Sequence, residues 1–202
     1  MAAVGNVGIG VSNCYVAAYT ITGGSVVYED GVRLGRLVDV SFSLDDAGDN
    51  IFYADNVAAE TAPATFSGGT VDIEIDGLLD TTEKFIYGLN ARTAITVSTS
   101  VTVSMYGDGA DAVAPYVGIG FIITEMNEGT ISYHPVIITK ARFQKSVRDA
   151  HTMEDTIDWQ THTLTANLMR DDTANKDWRV FGSGCTTEAD AEAVIKTFLS
   201  IT

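Results

Sequence analysis

The sequence predicts a mainly β fold, a β-sandwich or barrel with one short flanking helix and a C-terminal helix. Three observations predict it. Apolar and polar residues alternate with period two in several separate segments. Gly-containing turn signals stand between those segments. Helical periodicity is confined to two stretches, near residue 84 and at the C-terminus. The 202 residues are enough for one sizeable core, and a hydrophobic content of 46% argues against a disordered chain. With 3 Pro and 19 Gly, the composition suits strands joined by tight turns.

Taken in order, residues 1–12 (MAAVGNVGIGVS) are small and Gly-rich and read as a flexible N-terminal arm. Residues 13–202 then read as a single domain whose last part, 185–202, is a helical extension. Gly8-Ile9-Gly10 lacks the third glycine and the following helix of a dinucleotide site. Cys14 to Ile21 is strand-like and ends at the turn signal Gly23-Gly24. In Leu37 to Leu44, Val38, Val40, Phe42 and Leu44 alternate with Asp39, Ser41 and Ser43. Ile51 to Tyr53 is a short apolar stretch, followed by a polar, Ala-rich loop through Pro63.

Thr70 to Asp76 alternates most cleanly. Val71, Ile73 and Ile75 share one face, and Thr70, Asp72, Glu74 and Asp76 share the other, which must be wet. Asp80 to Glu83 reads as a capping box, Lys84 to Tyr87 as a short helix and Gly88 as its terminator. Ile95 to Met105 reads as one long strand. It carries an apolar face and a hydroxyl face of Thr96, Ser98, Ser100, Thr102 and Ser104. Tyr116 to Thr124 is apolar on both faces and includes Gly118 and Gly120, as in a central strand covered on both sides. Gly129 marks a hairpin into a strand from Thr130 to Phe143, with Pro135 at a bulge or an edge. Thr156 to Leu168 is a Thr-rich strand, Arg170 to Thr173 a charged turn and Asp177 to Phe181 a further strand. Thr187 can N-cap a final helix whose apolar stripe is Ala191, Val194, Ile195, Phe198 and Leu199.

Charge narrows the function. Twelve Lys and Arg against 27 Asp and Glu give −15, so the surface should repel phosphate. Between Leu37 and Glu83 lie eleven acidic residues and no basic one. Lys140, Arg142, Lys145 and Arg148 form the one basic cluster. Cys14 and Cys185 are far apart and read as reduced structural cysteines. The first basic residue is Arg33 and no apolar run approaches about 18 residues, so a signal peptide and a membrane span are not expected. A soluble protein made in the cytoplasm is the expectation. His134, His151 and His162 lack metal-ligand spacing, and no P-loop, EF-hand, nucleophile elbow or HExxH occurs. No catalytic residue, metal or cofactor is expected. Asp72 and Glu74 have a spacing compatible with paired glycosidase carboxylates, without a sugar-stacking cleft around them.

From Phe52 onward, the order of features resembles the major tail protein (tail tube) family of long-tailed bacteriophages, the siphophages. Tyr53-Ala54-Asp55-Asn56 is similar to a family signature, and Phe66-Ser67-Gly68-Gly69 leads into the strand Val71 to Asp76. Ala114 to Phe121 resembles the family's central strand, Lys140 to Phe143 its returning strand, and Asp155 to Asn167 its late Thr-rich strand. The resemblance spans about residues 13–182. It implies a β-sandwich of the tail tube type and homo-oligomeric, hexameric rings stacked into a tube. Strands of six subunits would close a barrel around a lumen that carries DNA during ejection. Implied partners are the tape measure protein, the tail terminator and genomic DNA that passes without specific binding. The implied location is the virion, after assembly in the host cytoplasm. The candidate lumen-facing residues are Asp72, Glu74, Asp76, Thr96, Ser98 and Ser100. The alternatives are the tube protein of a contractile tail or injection system, an acidic β-sandwich module binding carbohydrate, and an enzyme.

Overall fold

The computed structural model describes residues 5–45, 48, 50–62, 65–146, 152 and 159–202. The strands are β1 (Val7–Thr22), β2 (Ser25–Gly35), β3 (Leu37–Asp45), β4 (Asn50–Ala54), β5 (Val57–Ala62) and β6 (Gly68–Ile75). Helix α1 (Asp80–Tyr87) precedes β7 (Asn90–Ser98), β8 (Val101–Gly107), β9 (Val117–Asn127), β10 (Thr130–Phe143), β11 (His162–Met169) and β12 (Arg179–Phe181). Helix α2 (Glu188–Phe198) ends the chain. The fold is therefore mainly β with a short helix and a C-terminal helix, as the periodicities predict.

One antiparallel sheet runs in the order β2-β1-β9-β10-β11-β6-β3, and β12 also pairs with β10. Along one edge of β10, β12 pairs with Val136 to Ile138 and β11 with Lys140 to Phe143. A bulge between Ile138 and Ala141 bends the strand between these stretches. The sheet thereby folds over, and β11, β6 and β3 lie across β1 and β9. Cys14, Val16, Ile119 and Phe121 meet Val71, Ile73, Leu164 and Ala166 in the core between the layers. Phe42 of β3 approaches Phe121 of β9, ring centroids 6.2 Å apart. Helix α1 adds Ile86 and Tyr87 to this core.

The opposite face of β1, β9 and β10 belongs to α2. Tyr15, Ala17, Tyr19, Tyr28, Ile122 and Ile137 pack with Ala191, Ile195 and Leu199. A Cβ at Gly118 would meet Tyr28 and Leu199, and one at Gly120 would meet Ile195. The two glycines thus let the helix approach the backbone of β9, the doubly covered strand that the sequence predicts. Thr187 N-caps α2 and accepts from the Asp190 N–H at 3.2 Å. The helix forms a layer of the fold. Val194 and Phe198, at the margins of its stripe, stay partly exposed.

Several local expectations differ. Val7 to Ser12 are paired with β9, so the second half of the expected flexible arm is the start of β1; Met1 to Val4 lie outside the described residues. Position-two alternation was obscured there by Gly5, Gly8 and Gly10. The Ala-rich segment after Tyr53 is a hairpin rather than a loop. Asp55 and Asn56 both take positive φ, 52° and 64°, in the two-residue turn that joins β4 to β5. Asp80 is the first helical residue of α1, with Leu79 at the N-cap and no side-chain cap, so the capping box does not form. Gly88 does end the helix in the left-handed conformation. Pro135 sits inside the β9–β10 ladder opposite Ile122. Its carbonyl accepts from Gly182. It lies between the stretch of β10 that pairs with β12 and the Tyr133–Cys185 bridge. The start of the expected strand at Thr156 lies outside the described residues, and β11 begins at His162.

Candidate functional surface

The acidic row lies on β6, whose residues alternate between half-buried and buried along its length. Val71, Ile73 and Ile75 fill the core, which turns Thr70, Asp72 and Glu74 to the outer face. Register extends that face onto both neighbours. Asp39 and Thr163 lie opposite Glu74, Ser41 and Thr165 opposite Asp72, and Ser43 and Asn167 opposite Thr70. Directly opposed residues share a face, so three adjacent strands present carboxylates and hydroxyls together. None of these positions is basic.

The carboxylates are partly satisfied within the sheet. The Thr165 hydroxyl donates to Asp72 Oδ1 at 2.5 Å, and the Thr161 hydroxyl donates to Glu74 Oε1. Asp76, just past the strand, accepts from the Arg36 N–H at 3.0 Å and from Arg36 Nε at 2.5 Å. Burial acts to raise the Asp76 pKa, but the hydrogen bonds and charge of Arg36 outweigh it and hold the carboxyl below its ordinary value. Arg36 is well exposed, so this pair contributes little to stability. Asp39 opposite Glu74 is a like-charge pair, an arrangement that costs a sheet stability.

Thr96, Ser98 and Ser100 are not on this surface's strands. The expected single strand Ile95 to Met105 is a hairpin, β7 and β8, which among the described residues pair with each other alone. Thr99 and Ser100 make its turn, so Ser100 belongs to no strand face. Thr96 stays opposite Thr102, their hydroxyls 3.2 Å apart, and Ser98 Oγ accepts from the Ser100 N–H at 3.4 Å. The unbroken alternation through residue 105 hid the turn, because Thr-Ser carries no Gly, Asn or Asp signal. Asp72, Glu74 and Asp76 are therefore brought together with Asp39, Thr163 and Thr165, and the hydroxyl set stands apart on its own two-stranded sheet. Asp39 and the alternate Thr residues of β11 were legible as alternation; their register with β6 was not.

Two members of the basic cluster, Lys140 and Lys145, are paired with carboxylates. Lys140 Nζ lies 2.6 Å from Asp172 and about equally over the rings of Tyr19 and Tyr116, at 5.0 and 4.8 Å. Arg142 stacks on Tyr116 at 4.4 Å, and its Nε donates to the Ala114 carbonyl at 2.9 Å. Lys145 pairs with Asp108. Arg148 and His151 lie outside the described residues. Hydrogen bonds from Lys140 and then Tyr19 hold Asp172 below its ordinary pKa. Burial pushes the Tyr19 hydroxyl up to about 12.

Cys14 is a buried free thiol, pushed up to about 12 by burial, and Cys185 is also free. His134 Nε2 lies 3.0 Å from the Ser132 hydroxyl and 3.2 Å from Glu125. Among the described residues, no three His, Cys, Asp or Glu side chains form a group that could hold a metal ion. No helix among them is long and apolar enough to cross a membrane.

Fold and surface together define a helix-backed, mainly β protein with an acid- and hydroxyl-lined outer sheet face. No protein-family model matches the chain, and no curated protein is significantly similar to it.

Proposed function

We propose that the chain is a structural, non-enzymatic subunit of a phage tail tube, polymerising as stacked hexameric rings whose channel carries DNA into the host. The observation that carries this reading is the outer face of β3, β6 and β11. Asp39, Asp72 and Glu74 stand there among Ser41, Ser43, Thr163 and Thr165, and none of the paired positions of these strands is Lys or Arg. A fold gains nothing from opposing Asp39 to Glu74, so the arrangement points to a use outside the fold. Duplex DNA carries one negative charge per roughly 1.7 Å of axis. A channel that binds phosphates holds DNA in place, whereas carboxylates and hydroxyls keep the surface hydrated and repel it. The sequence resemblance to siphophage tail tube proteins supports the same reading and implies the tape measure protein and tail terminator as neighbours in the virion.

Negative-stain microscopy of the purified protein at high concentration tests the proposal. Hollow tubes or stacked rings are the expected result. A protein that stays monomeric at every concentration reached and under nucleation by tail components overturns it, and monomers that bind oligosaccharide instead support an acidic binding module.

A further inference from the structure

The hairpin β7–β8 is, like β4–β5, a two-stranded sheet of its own, but unlike β4–β5 it carries no acidic residue. Between Thr93 and Gly107 there is no Asp, Glu, Lys or Arg, in a protein with 39 such residues among 202. Its aliphatic side chains Ile95, Val97, Val101, Val103 and Met105 are 40 to 73% exposed. Among the described residues it joins no other sheet, and near its base Lys84 of α1 lies over Tyr106 at 5.5 Å. A two-stranded hairpin in water is marginally stable at best, and a contiguous exposed apolar face marks a contact surface.

We propose that β7–β8 is the self-association element of this protein, its aliphatic face seating on a second copy of the chain. Charge selects the occupant. Two copies at −15 each repel wherever their acidic surfaces approach, whereas this acid-free hairpin, whose one charged residue is Arg92 near its base, lets them meet without opposing carboxylates. A basic partner would instead be drawn to the carboxylate faces and gain nothing from this hairpin. The hydroxyls of Thr96, Thr102 and Ser104 on its other face can stay hydrated while the aliphatic face is covered. This inference rests on the self-assembly in the proposed function and names the element that drives it.

Sedimentation velocity across a concentration series tests it, comparing the full chain with Val97→Asp/Val103→Asp and with the milder Val97→Thr/Val103→Thr. These side chains are exposed, so both variants should keep the wild-type far-UV spectrum and melting temperature. The Thr variant holds the test should the Asp variant misfold. The expected result is that wild type assembles and the folded variants need at least roughly tenfold higher concentration, a loss of about 1.4 kcal/mol in contact. Folded variants that assemble like wild type overturn this inference and leave the tube reading standing. A wild type that never assembles overturns the tube reading, and this inference with it. A monomeric wild type that co-sediments with phosphatidylcholine vesicles, while the variants do not, assigns the hairpin to lipid and overturns the second copy as occupant.

Discussion

Gly120 shows how one absent methyl positions a whole layer. Its missing side chain is filled by Ile195 of α2, and any Cβ there collides with that side chain. Gly120→Val should destabilise the protein by about 1–3 kcal/mol through overpacking. Ile195→Ala should cost about 2–5 kcal/mol through a cavity. Combining them should cost less than the sum, because each relieves the other; urea denaturation of the three variants measures this. The Asp172 carboxylate supplies a second test. Its folded pKa is depressed by Lys140 and Tyr19, so its contribution is present above the unfolded value of about 3.9 and is lost as pH falls through the lower folded value. Asp172 is partly exposed, which limits the size of the effect. Denaturation midpoints between about pH 6 and pH 2 should decline less steeply in Asp172→Asn than in wild type.

At the scale of elements, the caps and turns decide which stretches are independent. Thr187 satisfies a free N–H at the start of α2, and Thr187→Ala should cost about 1 kcal/mol, read as a lowered thermal midpoint. Strand β1 divides at its N-terminus. Gly5 and Asn6 precede the backbone pairing, with the Asn6 side chain bonded to Glu125 and Asn127 at the surface, whereas Val7 to Ser12 pair with Met126 to Ile122. Deleting residues 1–6 should leave folding intact. Deleting residues 1–12 should lower the midpoint in urea, because β9 then loses half of one ladder. Equal stability of the two truncations would show that the first half of β1 contributes nothing to the sheet.

For the whole molecule, the question is which way the acid- and hydroxyl-lined face points in an assembly. Asp72→Lys with Glu74→Lys reverses two carboxylates in every subunit and leaves the apolar side of β6 untouched. If the face lines a channel, tubes still form, DNA ejection slows or stops, and added salt partly restores it as phosphate contacts weaken. Ejection at the normal rate from virions shown to contain the double variant would place the face outside the channel.

Alternation in the sequence by itself determined the β class, the inward set Val71, Ile73 and Ile75, the doubly covered strand at Gly118 and Gly120, the capped final helix and the acidic row of β6. Each is a local pattern, because side-chain direction in a strand or helix follows from backbone period alone. Tertiary structure decided what no period encodes. The bulge after Ile138 bends β10 and folds the sheet over itself. Register sets Asp39 and Thr163 beside Glu74. The Thr99-Ser100 turn parts one apparent strand into a hairpin and separates its hydroxyls from the acidic face. Pairing partners are chosen by contacts between residues up to more than a hundred positions apart, such as Val7 with Met126, and a local pattern carries no record of them.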